Sequence, residues 1–235
     1  MIDIHSHILP GVDDGARTLT DSMDIIRELA GSGVTDVVLT PHYVSDTKYV
    51  SSRRDNLRSI SDLKVALSDE GLNINVYLGN EIYINTEIIA LIKKGVISPM
   101  ANSEYLLVEL PLNGEFPNYE DYLADLIRSG YKVILAHPER YEIVQEDYDI
   151  IHRLNGQGVL FQCNLGSILG QYGRAAKRVI KKLAKDNFVF AFGSDIHHCH
   201  GAEYWKKAQQ KLAKYYSKSE FEKVMITNPR QVLFF

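Results

Sequence analysis

Seven short apolar runs, each followed by a segment of different character, constrain the fold of this 235-residue chain more than any other feature. The runs are Ile2–His5, Val37–Thr40, Ile74–Leu78, Tyr105–Leu110, Lys132–Ala136, Leu160–Asn164 and Phe188–Phe192. Several are near-continuously hydrophobic, as parallel strands covered on both faces must be. Between them lie helical patterns. In Thr20–Ala30, Met23, Ile26, Leu29 and Ala30 recur at helical spacing, and Gly31 and Gly33 supply a stop. Leu57, Ile60, Leu63 and Leu67 do the same in Ser52–Ser68. Asn118 is placed to cap a helix over Tyr119–Ser129, which Gly130 would end. Arg174–Lys185 is basic on its outer face, the pattern of a solvated surface helix. Ala202–Tyr216 and Ser219–Thr227 predict two more helices. Strands alternating with helices imply a parallel sheet with right-handed crossovers. About seven such units predict an α/β fold, a distorted TIM-like barrel rather than a long open sheet. No repeat or long Pro/Ser linker interrupts the pattern, which predicts one domain over residues 1–235.

In such a barrel, chemistry gathers at the C-terminal ends of the strands. Polar residues stand at those positions here. His5 and His7, in Asp3-Ile4-His5-Ser6-His7, close the first run, and an extended chain points alternate side chains the same way. His42 follows the second run, Glu81 the third, and Glu109 ends the fourth. His137 and Arg140 follow the fifth, Asn164 ends the sixth, and Asp195 and His197 follow the seventh. Asp13 and Asp14 lie shortly after the first, where they can bind a cation or cap the next turn. Imidazoles and carboxylates without a thiolate suit Mn, Fe, Zn or Co better than a structural zinc site. Carboxylates converging in one cleft repel unless cations lie between them, and the donors exceed the needs of one ion. Two or three divalent ions are therefore expected, together with metal-assisted chemistry on a phosphoryl group. Arg140 is the candidate for two-pronged phosphate recognition, unless it pairs with Glu139 or Glu142. Asp14 can hold metal or protonate a leaving group. His152 falls in a helical pattern, and His198 and His200 read as loop residues.

The remaining composition excludes several classes. A net charge of −4 offers no general basic face for nucleic acid. No run approaches the roughly 20 apolar residues of a membrane span, so no direct membrane insertion is expected. Cleavage of a signal peptide would remove His5 and His7, and two cysteines are too few for a disulfide framework, so a reducing cytoplasm is expected. Neither Cys163 nor Cys199 has an arginine six residues on, as a cysteine-phosphatase loop requires; Leu169 and Trp205 stand there. Cys163 reads as a buried apolar residue. No Gly-x-Gly-x-x-Gly or Walker loop suggests a nucleotide cofactor.

Met1-Ile2-Asp3-Ile4-His5-Ser6-His7-Ile8-Leu9-Pro10, Val12-Asp13-Asp14-Gly15, Thr40-Pro41-His42 and Gly79-Asn80-Glu81-Ile82 follow one another in order. So do Val108-Glu109, Ala136-His137-Pro138-Glu139-Arg140-Tyr141 and Gly193-Ser194-Asp195-Ile196-His197. In these motifs the chain resembles the polymerase-and-histidinol-phosphatase (PHP) superfamily. Within it, the chain is most similar to the bacterial protein-tyrosine phosphatases of capsule and exopolysaccharide synthesis, the CpsB/YwqE type. The resemblance implies a PHP barrel with up to three metals, commonly manganese. It implies that His5, His7, Glu81 and Asp195 hold one ion, that Glu81, Glu109 and His137 hold a second, and that Asp14, His42 and His197 hold a third. Arg140 would grip the substrate phosphate. The implied substrate is phosphotyrosine on the tyrosine-rich tail of a bacterial tyrosine kinase. Tyr43, Tyr83, Phe116 and Tyr141, beside the motifs, are candidates to line a mouth deep enough for an aromatic ring. Relatives often carry Arg or Lys soon after the last metal histidine, whereas His198–Glu203 here has neither. Two other readings share the pattern: a small-molecule phosphoesterase of the histidinol-phosphate kind, or a module that binds a kinase tail without hydrolysing it.

Overall fold

The computed structural model describes residues 1–114 and 116–233. Its strands are β1 (Ile2–Asp3), β2 (Asp36–Leu39), β3 (His42–Tyr43), β4 (Asn75–Leu78), β5 (Glu81–Tyr83), β6 (Tyr105–Glu109), β7 (Lys132–Ala136), β8 (Leu160–Asn164) and β9 (Val189–Gly193). All pair in parallel, in one sheet ordered β1-β2-β4 and another ordered β3-β5-β6-β7-β8-β9.

The two sheets follow from two interruptions. Pro41 separates β2 from β3 and has no N–H to give the ladder. Gly79-Asn80 separates β4 from β5 at the same level, and Asn80 replaces the missing ladder bonds with its side chain. Its Nδ2 donates to the Pro41 carbonyl at 3.0 Å, and its Oδ1 accepts from Ser98 N at 2.9 Å. Counting β2/β3 and β4/β5 as single interrupted lines leaves the seven strand lines that the apolar runs predict. The first and last lines meet beyond β1. Ser6 bridges Ile196 in parallel, His7 N donates to Ile196 O at 3.0 Å, and Asp195 N donates to His5 O at 2.9 Å. The ring is thus distorted and closes through one bridge, at the end where the polar residues gather.

Strand alternation builds two apolar layers. Tyr105 and Leu107 of β6 and Ile134 and Ala136 of β7 point inward, with Ile4, Val38 and Phe190. Their neighbours Leu106, Val108, Val133 and Leu135 point outward onto the helices. The helices are α1 (Leu19–Gly31), α2 (Arg53–Asp69), α3 (Ile88–Lys93), α4 (Tyr119–Arg128), α5 (Glu142–Glu146), α6 (Asp149–Gly156), α7 (Leu165–Leu169), α8 (Gly173–Lys185), α9 (Ala202–Leu212), α10 (Lys218–Glu222) and α11 (Asn228–Leu233). Thr18 and Ser52 cap α1 and α2 with their hydroxyls. Val232 and Leu233 of α11 join the inward layer, and Asn228 Nδ2 donates to Phe190 O at 2.8 Å.

Several elements differ from the periodicity reading. Asn118 does not cap α4 with its side chain; its backbone is left-handed (φ 59°), which turns the chain into the helix instead. The helix expected over Ala202–Tyr216 stops at Leu212, and Ser219–Thr227 divides into α10 and a π turn at Lys223–Thr227. Periodicity did not signal β3, β5, α3, α5, α7 or α11, all of two to six residues. Such elements are too short to carry a full period.

Candidate metal centre

The site is assembled from the carboxyl ends of the strand lines. His5 and His7 leave β1 in an extended course that the Ser6 bridge holds. His42 and Glu81 open β3 and β5 and stand opposite each other in register. Glu109 ends β6. His137 and Asp195 follow β7 and β9, both with left-handed backbones (φ 32° and 52°) that ordinary residues rarely adopt. That strain sits at two positions where side chains must turn into the mouth. All nine sequence-predicted donors, His5, His7, Asp14, His42, Glu81, Glu109, His137, Asp195 and His197, come together there.

Glu81 is the hub. Its Oε2 lies 3.2 Å from His5 Nε2, 3.2 Å from His7 Nε2 and 3.1 Å from His42 Nδ1, yet makes no hydrogen bond among the described residues. Its Oε1 lies 2.9 Å from His137 Nε2, which is 3.6 Å from Glu109 Oε1. Asp195 Oδ1 stands 3.5 Å from His5 Nε2 and 3.4 Å from His7 Nε2. Asp14 Oδ1 is 3.5 Å from His42 Nε2 and 3.3 Å from His197 Nε2. Four sets of donor atoms each fall within 4.8 Å: His7, Asp14, His42, His197; His5, His7, Glu81; His5, His137, Asp195; and His42, Glu81, Glu109. His5, His7, His42 and Glu81 each belong to two sets, and Glu81 is the one carboxylate among them, placed to stand between two neighbouring ions.

The far sides of the imidazoles are also arranged. His5 Nδ1 donates to Gln162 Oε1 at 2.7 Å, His7 Nδ1 to Asp13 Oδ2 at 2.8 Å, and His197 Nδ1 to the Asp195 carbonyl at 3.0 Å. In the neutral imidazole each bond places the proton on Nδ1, so that loss of any Nε2 proton would turn a lone pair into the cluster. A chain of bonds continues outward, from Gln162 Nε2 to Asn164 Oδ1 at 2.9 Å and from Asn164 Nδ2 to Asp195 Oδ2 at 2.6 Å. Asp13 is thus a supporting residue rather than a member of any donor set; it also accepts from Gly15 N and His42 N. Sequence reading did not single out Gln162. Its only signal is a polar residue inside a buried strand.

Charges in the cluster respond to one another. Burial opposes charge on His5, but Glu81 and Asp195 outweigh it and raise the imidazole to about 9. Burial and the neighbouring Glu81 and Asp195 carboxylates raise Glu109. A hydrogen bond from His197 lowers Asp14 to about 2, against the opposing pull of burial. Crowded carboxylates that keep a proton between them, an orphaned oxygen facing three nitrogens, and oriented imidazoles form a donor set that fits divalent cations.

Arg140 pairs with neither Glu139 nor Glu142. Its Nη1 donates to Asp195 Oδ2 at 2.7 Å, and its guanidinium stacks over Tyr172 at 4.4 Å. Glu139 turns the other way and accepts from Asn164 N and Ser167 Oγ. A cleft of about 460 Å³ opens over the cluster, lined by Arg140, Lys48, Tyr49, Tyr83 and Leu112. Of the four aromatic candidates, only Tyr83 reaches it. Tyr43 is buried in the outer layer, Phe116 packs on Tyr122, and Tyr141 is buried with its hydroxyl bonded to Ala136 O and Leu110 N. His152 packs edge-on against Phe188, and Cys163 is buried, as expected.

An imidazole–carboxylate cluster at the strand ends of a βα barrel defines a metal-dependent hydrolase. The family described as "Capsular polysaccharide synthesis, CpsB/CapC" matches residues 1–234, and the chain belongs to it. CapC of Staphylococcus aureus is 33% identical over 98% of this chain and 92% of its own length. Tyrosine-protein phosphatase YwqE of Bacillus subtilis is 31% identical over 84% of this chain and 77% of its own. A chain from the crystal structures of YwqE and of CpsB from Streptococcus pneumoniae, described as metal-dependent tyrosine phosphatases, superposes with a TM-score of 0.86. It is 28% identical, over 99% of this chain and 94% of that one.

Proposed function

We propose that this chain is a manganese-dependent protein-tyrosine phosphatase whose substrate is the tyrosine-phosphorylated tail of a bacterial kinase in capsule or exopolysaccharide synthesis. The observation that carries the reading is Arg140, poised over a nine-donor cluster at the floor of an aromatic-walled cleft. His5, His7, Glu81 and Asp195 would hold one ion, Glu81, Glu109 and His137 a second, and Asp14, His42 and His197 a third. Bound divalent ions supply Lewis acidity toward phosphoryl oxygens and toward the attacking water.

The chain's own residues do the rest. Asp195 takes one guanidinium nitrogen of Arg140 and Tyr172 supports the plane, which leaves the other N–H groups of this cleft-lining residue to clamp a phosphate in two-pronged fashion. Tyr49 and Tyr83 flank the entry and suit the ring of a phosphotyrosine. The leaving phenol has a pKa of about 10, so expulsion needs little proton donation. That agrees with an Asp14 kept ionised by His197 and used to hold an ion rather than to donate a proton.

Substituting Arg140→Ala tests this reading on a phosphotyrosine peptide. The expected loss in kcat/KM is about 100-fold, with manganese content, measured by elemental analysis, retained. Undiminished turnover would remove Arg140, and with it the proposed phosphate clamp.

A further inference from the structure

The surface around α8 and α9 has a charge distribution that the metal centre does not use. The Gly173–Lys185 segment of α8 carries six cationic side chains and no carboxylate, on a chain whose net charge is −4. Helical spacing puts Lys177 and Lys181 on one face, and the two side chains reach toward Lys211 of α9 and Tyr215 just beyond it. Lys211 lies within hydrogen-bonding reach of Lys177, and this contact lowers its pKa below the usual lysine value. Lys181 adds to the repulsion from the same side and stands 5.8 Å from the ring of Tyr215. None of the three ammonium groups has a carboxylate partner within 4 Å among the described ion pairs. Like charges this close are unfavourable, and an anion seated between them would relieve the repulsion.

The position of the cluster matters more than its charge. Lys177 Nζ folds back to within 3.6 Å of where a Cβ would stand on Gly170. Gly170 lies two residues before Tyr172, whose ring supports Arg140 and whose hydroxyl is 3.5 Å from Asp195 Oδ2. One short loop, residues 170–172, therefore touches the phosphate clamp at one end and the lysine cluster at the other.

We propose that Lys177, Lys181 and Lys211 form a second anion-docking site, which takes another phosphate of the same polypeptide whose phosphotyrosine enters the cleft. The inference rests on the phosphatase reading and extends it. The preferred substrate is a multiply phosphorylated segment, held by one phosphate on the lysines while another is presented to Arg140. Such a site acts on capture and leaves the chemical step alone. Its effect falls on KM, weakens with added salt, and vanishes for small aryl phosphates.

The test compares a peptide bearing two phosphotyrosines with the same peptide bearing one, using the manganese-loaded protein and a Lys177→Glu/Lys211→Glu variant. The proposal expects the parent to favour the doubly phosphorylated peptide. It expects the variant to lose about tenfold in kcat/KM on that peptide alone, through KM, with p-nitrophenyl phosphate turnover unchanged. Equal kcat/KM for the two peptides in the parent, or an equal loss on both in the variant, would overturn it. Fluorescence anisotropy of the labelled doubly phosphorylated peptide separates the two readings. If neither peptide is hydrolysed, the phosphatase reading fails, yet salt-sensitive binding that the variant loses would still support docking, and its absence would refute it. Binding of the parent to phosphatidylserine vesicles, lost in the variant while peptide kinetics stay unchanged, would assign the lysines to a membrane and overturn the proposal.

Discussion

His7 shows how a single residue in the site is specified twice. Its Nε2 faces Glu81 and Asp195, while its Nδ1 is committed to Asp13. The first set of contacts would make it a ligand; the second decides which nitrogen carries the proton of the neutral ring. Asp13→Ala should therefore weaken manganese binding by about 10–100-fold while the ligands themselves remain. Metal titration of the stripped variant, with circular dichroism as a check on folding, reads this directly; unchanged affinity would show that Asp13 only shapes its loop. The donors were legible in the sequence because each ends or follows an apolar run. Their supports were not. Gln162 is 157 residues from His5, and its 2.7 Å bond depends on the closure that brings β8, beside β9, near the line of β1. The place of Arg140 at the mouth was legible, but its partner Asp195 was not, because two adjacent glutamates were nearer in sequence.

At the scale of elements, the loop joining β1 to α1 has to fold tightly back over its own strand. Ala16 N donates to His7 O at 3.0 Å and Gly11 N to Ala16 O at 2.8 Å. This leaves no room at Gly15, where a Cβ would stand 2.0 Å from His7 O and 2.6 Å from His7 Cβ. Gly15→Ala should destabilise the protein by about 1–3 kcal/mol and weaken metal binding, since the displaced backbone is that of His7, a proposed ligand. Gly156→Ala, in α6 with nothing within 4 Å, is the control and should be neutral or slightly stabilising. Thermal melts of the two variants check the pair; equal melting temperatures would refute the packing argument. The long helices and seven strand lines were readable from hydrophobic period alone. The breaks were not, since Pro41 and Gly79 each divide a line into segments of two to four residues. Nor were the left-handed turns at His137 and Asp195, because no glycine marks them.

For the whole molecule, the cluster ties metal content to pH. His5 is raised to about 9, against the pull of burial, by Glu81 and Asp195, and Glu109 is raised by burial and the same two carboxylates. Both therefore hold protons at neutral pH in the metal-free chain, and incoming cations must displace them. Manganese affinity should rise as pH increases toward 9 and fall as it drops, with about one or more protons released per chain on loading at neutral pH. Calorimetry in two buffers of different ionisation heat measures that release; none, with pH-independent affinity, would contradict the electrostatic account. Whether this cluster hydrolyses phosphotyrosine is tested by stripping the metal and adding manganese back. Phosphate release is then compared on a phosphotyrosine peptide and its phosphoserine counterpart. Manganese-dependent release from phosphotyrosine alone is the expected result. Equal or faster release from phosphoserine, or no release from either by the fully loaded protein, would contradict it.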